Sequence, residues 1–449
     1  MKSSNTSLSA ELRATLKLAG PIVLSQAGQM LMGLVDTLAA GRLGTTAQAG
    51  LGLGANFFWT FTAVCMGCLM ALDTYFSQAA GARDDRALSR YLDQSFWLAL
   101  FVGLFSATGL FIGYLLYVAC AAPTPTRDAM VIYLRNVSWC LPSLFAFFVL
   151  QRYWQARHRV LGFMIFTLAA NVLNLAACFA LGLGYWGFPP LGVKGIAYAT
   201  VISRYAMLLA ACCFTWYFYR PQTIRLVKVD WKLQREMLAL GLPAAGHTAL
   251  EICAFTIATF VIGTLGPTAL AAHHICIMLA TFTFMFPLGF SAAAAVRVGN
   301  YVGAGQFARA RVAGWLCIGL SVTVMAGFSL IYLTCSRTMM GWFNTDPAVI
   351  SLGMKILSVV ALFQIMDGTQ VSATGALRGL GDTRTPMYAN LIGHYPIGLA
   401  IGMAFCFSLG WGVVGLWTGL ATGLCSVAVL VLRSWIKTTR KASFTACDS

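Results

Sequence analysis

About twelve stretches of this chain are apolar for long enough to cross a lipid bilayer, and that feature limits its fold more than any other. A helix rises about 1.5 Å per residue, so roughly 20 apolar residues span the ~30 Å hydrocarbon core. Read between polar or Gly/Pro breaks, the runs fall at about 14–40, 49–75, 91–119, 130–154, 161–185, 192–218, 236–263, 269–297, 311–336, 348–376, 385–409 and 413–436. Within lipid every backbone N–H and C=O must be satisfied by the protein itself, which runs of this length achieve as helices. The expected fold class is therefore an all-α polytopic membrane protein with twelve transmembrane helices. Charged residues make up 10% of the 449 positions, against about 25% in a soluble domain. No hydrophilic block is long enough for a soluble domain, and no small-residue cleavage site follows the first run, so that run is expected to stay as a helix.

Twelve spans place both termini on one side, and the basic residues say which. The termini and even-numbered loops carry 23 Lys and Arg, whereas the opposite loops carry only Arg42, Arg127, Lys194 and Arg337. Positive loops stay in the cytoplasm, so both termini are expected there, with a bacterial inner membrane as the location. The same distribution accounts for the net charge of +16 without nucleic acid, because the basic residues are dispersed as loop-end anchors for lipid headgroups and form no stripe with interleaved aromatics. The 14 Cys fall mostly inside the runs, and Cys65/Cys68 has no matching second pair, so they read as small packing residues and not as a zinc site. No GxxxxGK[ST], HExxH or Ser nucleophile elbow occurs, so an enzyme, an ATP-driven machine and a bound cofactor are not expected. An ion gradient is the expected source of energy: each charge moving down 100 mV supplies about 2.3 kcal/mol.

The chain repeats itself. Gly41-Arg42-Leu43-Gly44 recurs as Gly263-Thr264-Leu265-Gly266, Pro21 as Pro243 and Gly81-Ala82 as Gly303-Ala304, all at an offset of 222, and Gly192-Val193-Lys194-Gly195 recurs as Gly412-Val413-Val414-Gly415 at 220. Six spans per copy is an even number, so the copies share an orientation and are expected as two pseudo-symmetric six-helix bundles with a substrate cavity at their interface. The expected domains are an amino-terminal lobe over 1–218, a polar and basic cytoplasmic linker over 219–235, and a carboxy-terminal lobe over 236–449.

Against this apolar background three acids stand out. An acid inside a span costs about 2.5–3.5 kcal/mol on insertion scales and is tolerated where it faces a wet cavity and binds a cation or proton. Asp36 lies near the end of the first span and Glu251 near the centre of the seventh, with His247 one turn earlier on the same face. Asp367 in the tenth span shares its helix face with Phe363, Gln364, Gln370 and Thr374. Sodium asks for oxygen ligands, which Glu251, Asp367 and the amide carbonyls supply, while a proton needs only a buried carboxylate; the residues allow either. Arg135 and Arg204 are also expected inside spans, with Arg204 a partner for Asp36. The packing alternatives are a hydrogen-bonded acid near a helix end for Asp36 and a core histidine for His247. No role follows for His394.

Several blocks together resemble one family. LGLGANFFW beginning at Leu51, ALAAHHICI beginning at Ala269, the run through Pro287, Gly289, Arg297, Gly299 and Gly303-Ala304-Gly305, and ALRGLGDTRTPM beginning at Ala376 are similar to the multidrug and toxic compound extrusion family over roughly 14–436. The acids at VDTLAAGRLG, LEICAF and MDGTQ resemble its NorM-type subgroup. The resemblance implies a monomeric twelve-helix, two-lobe antiporter that exports small organic cations in exchange for Na+ or H+, with Asp36, Glu251 and Asp367 as the coupling acids. Relatives place a tyrosine where this chain has Phe363, which keeps a ring face for a cation but loses the hydroxyl. Asn171 and Asn174 resemble an asparagine-rich motif of the amino lobe at a spacing of three instead of four, so one is expected to face away from the site; a structural interhelical hydrogen bond is an equally good account of them. Pro21 matches a position where relatives bend. A flippase or exporter of a lipid-linked or metabolite substrate on the same architecture is the alternative, although a polyanionic headgroup calls for a cationic cavity.

Overall fold

A computed structural model of the chain describes residues 8–120, 122, 124–219 and 228–445. Among them twelve helices are long and apolar enough to cross a membrane: α1 (Ser9–Leu43), α2 (Thr45–Gly81), α3 (Asp85–Cys120), α4 (Pro125–Ala156), α5 (Leu161–Gly182) and α6 (Val193–Phe218) in the amino-terminal half. The carboxy-terminal half supplies α7 (Trp231–Gly263), α8 (Pro267–Gly303), α9 (Phe307–Gly341), α10 (Pro347–Leu380), α11 (Arg384–Ser408) and α12 (Gly412–Arg440). The chain is thus an integral, multi-pass membrane protein. Most helices outrun the apolar stretches that announce them. α7 begins five residues before the expected 236, because Asp230 caps it by accepting from the Leu233 N–H at 3.2 Å.

The repeated glycines have a backbone explanation. Gly44 and Gly266 connect α1 to α2 and α7 to α8 at φ 116° and 109°, where a side chain would strain the backbone. Gly192 precedes α6 and Gly412 opens α12, at φ 60° and 57°. Prolines act differently by position: Pro125 and Pro347 sit in first turns capped by Thr124 and Asp346, where a missing N–H costs nothing. Pro142 follows a 3-10 turn at Ser138–Cys140, and Pro396 lies in a π-helical stretch of α11, Gly393–Leu399, where the ring removes a hydrogen bond.

Close packing divides the described chain into two compact units that do not follow the sequence halves. One comprises the described residues within 8–23, 73–84 and 242–445, the other those within 24–72 and 85–241. The divisions fall in α1 beside Pro21 and in α7 beside Pro243, the pair related by the repeat. In the first unit α10 packs on α8, with Gly375 and Gly379 lying against the backbone of Ser291 and Ala295. The end of α2 joins this unit: Gly81 lies against the Asn300 carbonyl and Gly303 against that of Gln78, so the repeated glycines meet reciprocally. In the second unit Gly50 and Gly54 of α2 lie against Ala129 and Tyr133 of α4, and Trp154, Phe163, Phe214 and Phe218 form an aromatic cluster.

Residues 220–227 of the expected linker lie outside the described residues. The remainder is anchored to α3 and half helical: Gln94 donates to the Lys228 carbonyl at 3.0 Å and accepts from the Asp230 N–H at 3.0 Å, while Arg90 pairs with Asp230 at 2.5 Å. Trp231 stacks on Phe101 at 5.7 Å.

Candidate functional site: buried carboxylates without a cation partner

In the amino-terminal half, α1 carries Asp36 into contact with α5 and α6. Its side chain is buried, at 3% exposure, and one oxygen accepts from the Thr200 hydroxyl at 2.6 Å. The other accepts from the Asn174 amide at 3.2 Å and the Cys178 thiol at 3.5 Å. A carboxylate three donors deep in a span is held in one orientation, since hydrogen bonds to a charged acceptor contribute about 1.5–3 kcal/mol each. Asp36 also lines a small cavity with Met32, Phe58, Trp59, Tyr133 and Arg204. Arg204 does not form an ion pair with it; the guanidinium lies over the Trp59 ring at 5.5 Å.

Asn174 therefore belongs to this cluster and Asn171 does not. Asn171 donates to the Gly28 carbonyl at 2.8 Å and the Thr167 carbonyl at 2.9 Å, a helix-to-helix tie between α5 and α1. Three residues cover about 300° of a helix, which turns the two amides to neighbouring but distinct faces.

In the carboxy-terminal half, α7 carries Glu251, half-buried, and α10 carries Asp367, 5% exposed. Neither carboxylate takes a hydrogen bond or ion pair from a described residue. One turn beyond Asp367, both polar atoms of Gln370 are buried without a partner, as is the Thr374 hydroxyl. On α7, one turn before Glu251, the His247 Nε2 is unpartnered, and its carbonyl accepts from Asn390 of α11 at 3.3 Å. His394, one turn after Asn390, leaves both ring nitrogens without partners and sits 6.2 Å from the Phe255 ring. Buried polar atoms are ordinarily satisfied, so this concentration of unused oxygens and nitrogens around two acids marks a place for a guest, a water or an ion. Oxygens from Glu251, Asp367, Gln370 and Thr374 are of the type sodium prefers. Among the described residues no group of three or more His, Cys, Asp or Glu is placed to hold a metal ion.

Two of the candidate residues have packing partners, although the Gln364 Oε1 is left without one. Gln364 turns to α8 and α9, donating to the Thr283 hydroxyl at 2.6 Å beside Tyr332, because three residues back on a helix is the edge of the Asp367 face and the Thr283 acceptor lies beyond it. Phe363 stacks on Trp417 at 6.0 Å within the apolar core of the carboxy-terminal half, which uses a ring face expected for a cation.

Two further acids buried in these helices escaped the sequence reading. Glu11 of α1 pairs with Arg297 of α8 and accepts from the Tyr301 hydroxyl at 2.5 Å; Asp73 of α2 pairs with Arg378 of α10 at 3.1 Å. Both lie near helix ends, where an acid is unremarkable in sequence. Their partners are 286 and 305 residues away, and no local spacing reveals them. Thr200 and Asn390 were equally invisible, since a threonine or asparagine in a span is common. The acids within the spans thus fall into two classes: buried Glu11 and Asp73, matched by arginine, and buried Asp36 and Asp367 with half-buried Glu251, which make no ion pair.

A family profile described as MatE matches the chain twice, over residues 21–180 and 243–404, with starts separated by the repeat offset of 222. The chain is 34% identical to the probable multidrug resistance protein NorM of Pseudomonas putida over 93% of each chain. It is 32% identical to the multidrug resistance protein NorM of Burkholderia vietnamiensis, covering 95% of this chain and 94% of that one. Among solved structures it resembles the eukaryotic MATE transporter AtDTX14, with a TM-score of 0.87 at 19% identity over 98% of this chain and 99% of that one. A MATE transporter in complex with MaL6 matches at a TM-score of 0.86 and 17% identity, over 96% and 97%. With two copies of the family profile laid over its two halves and relatives of near-equal length throughout, the chain belongs to the MatE family.

Proposed function

We propose that the protein is a secondary active multidrug exporter, expelling organic cations in exchange for Na+ or H+ by alternating access. One observation carries this reading: three carboxylates within the spans make no ion pair, while Glu11 and Asp73, also within them, are each paired with an arginine. An unpaired buried carboxylate must be neutralised by a proton or a cation, and a site that accepts either is exchangeable. Glu251 and Asp367 hold the coupling ion, and the organic cation competes with it; competition couples the two fluxes when the ligands prefer different conformations or exclude one another. Asp36 is a second such seat in the amino-terminal half. The distribution of basic loops supports cytoplasmic termini and a bacterial inner membrane. The protein works as a monomer, with no enzymatic step and no cofactor. NorM relatives described as multidrug resistance proteins support the substrate class.

The test is efflux of a cationic dye from proteoliposomes under sodium and proton gradients imposed separately. Glu251→Gln and Asp367→Asn should abolish gradient-driven efflux while leaving insertion intact. Undiminished efflux by both variants overturns the carboxylate mechanism. The competing reading, a flippase for a lipid-linked polyanion, requires that the purified protein fail to bind cationic dyes.

A further inference from the structure

Arg204 is the charged group of the amino-terminal half that cation exchange leaves unused. It is 3% exposed in α6, and its Nε and Nη1 have no hydrogen-bond partner. The titratable groups that share its cavity are Asp36, Tyr133 and Cys140. Asp36, the one acid among them, spends both oxygens on Thr200, Asn174 and Cys178 and forms no ion pair with Arg204. Asp36 supplies an opposite charge in the same cavity but takes no hydrogen bond from the guanidinium, so the Arg204 Nε and Nη1 donors stay unmet, and a buried donor left unmet is costly. Trp59 lies under the guanidinium and Phe58 and Met32 complete the apolar wall, so Arg204 lines a narrow cavity that is largely apolar.

We propose that this cavity binds an anionic group on Arg204: a singly charged, compact acceptor, supplied either by a free halide or by the carboxylate of a cargo that also carries a positive charge. With Asp36 as the neighbouring cation seat, the cavity then offers both signs of charge within one wall. This goes beyond the export of organic cations, and its second source rests on that reading. A halide or carboxylate matches the donors because both accept several N–H groups without bringing a bulky body into the cavity. Water is the alternative filling and gives a different result in each arm of the test.

The test uses the purified full chain. Bromide quenches tryptophan on contact, so intrinsic fluorescence is titrated with sodium bromide against sodium gluconate at fixed ionic strength and sodium. A saturable quenching component is expected over the linear collisional background, lost in Trp59→Phe and in Arg204→Gln. Arg204→Lys keeps the charge but not the fork of donors, and should retain saturation at a midpoint at least tenfold higher; wild-type saturation can be read without any variant. In the second arm, a cationic dye bearing a carboxylate is compared with its methyl ester. Displacement of bromide by the acid at concentrations at which the ester is inert assigns the seat to the cargo's carboxylate, and Arg204→Gln should then erase a preference of about tenfold or more, since a charged hydrogen bond contributes about 1.5–3 kcal/mol. Saturation without such displacement assigns it to free halide. Quenching strictly linear in bromide in the wild type, together with equal binding of acid and ester, overturns the proposal and leaves water in the cavity, whatever the outcome of the cation-driven efflux assay.

Discussion

Replacing Arg297 with methionine should destabilise the protein far more than the loss of one contact suggests. Its side chain is 6% exposed and that of its partner Glu11 10%, and the carboxylate also accepts from Tyr301 at 2.5 Å. Removing the guanidinium strands an acid in a buried site with one hydroxyl for company. Breaking a buried pair from one side costs about 3–5 kcal/mol, whereas removing both charges together is often close to neutral. Arg297→Met and Glu11→Gln are therefore each expected to cost about 3–5 kcal/mol, and the double variant much less than their sum, a coupling of at least about 2 kcal/mol in a double-mutant cycle. Reversible unfolding in mixed micelles reads these quantities, and limited proteolysis of the amino-terminal turns of α1 reads the local loosening. The exposed pair between Arg90 and Asp230, at 63% and 31% exposure, is the internal control, because solvent screens it. Single variants within about 0.5 kcal/mol of wild type, or strictly additive losses, would show that solvent reaches Glu11 and that the burial argument fails.

Thr200→Val removes the shortest hydrogen bond to Asp36, 2.6 Å, while Thr200→Ser keeps it; the valine variant should need a steeper ion gradient for half-maximal dye efflux and the serine variant should not. Gly81→Ala and Gly303→Ala place a methyl against the carbonyls of Asn300 and Gln78, backbone that has no rotamer to yield, so each should cost about 1–3 kcal/mol in thermal or denaturant unfolding, whereas Gly263→Ala, with open space at its Cβ, should not. Asp230 is held below the usual carboxylate range first by its hydrogen bond from Arg90 and then by the Leu233 N–H. Its contribution is complete above the unfolded carboxylate value of about 3.9 and is lost as pH falls through the lowered folded value, so protection from hydrogen exchange in the first turn of α7 should hold through about pH 4 and fall below it in the wild type, whereas Asp230→Asn should show no such acid-dependent fall.

What the sequence settles here is what a bilayer enforces residue by residue. Apolar runs of twenty or more can satisfy their backbone only as helices, so the twelve spans were legible, with errors confined to ends such as the start of α7, where capping by Asp230 extends the helix past its apolar stretch. The repeat was legible because its glycines answer a local demand: Gly44 and Gly266 adopt a backbone conformation closed to other residues. The three acids stood out because their cost in lipid is a property of the residue itself. Partnership is a different matter. Nothing in the chain tells Asp73 from Asp36 until Arg378, 305 residues away, is seen beside one, and Thr200, Asn174 and Cys178 around the other. Helical register likewise turned Asn171 and Gln364 into packing ties, because a shift of three residues rotates a side chain by about 60° from its neighbour's direction, enough to offer it a different acceptor. Cost is written into each side chain; neutralisation depends on which helices lie alongside, and only the folded arrangement decides that.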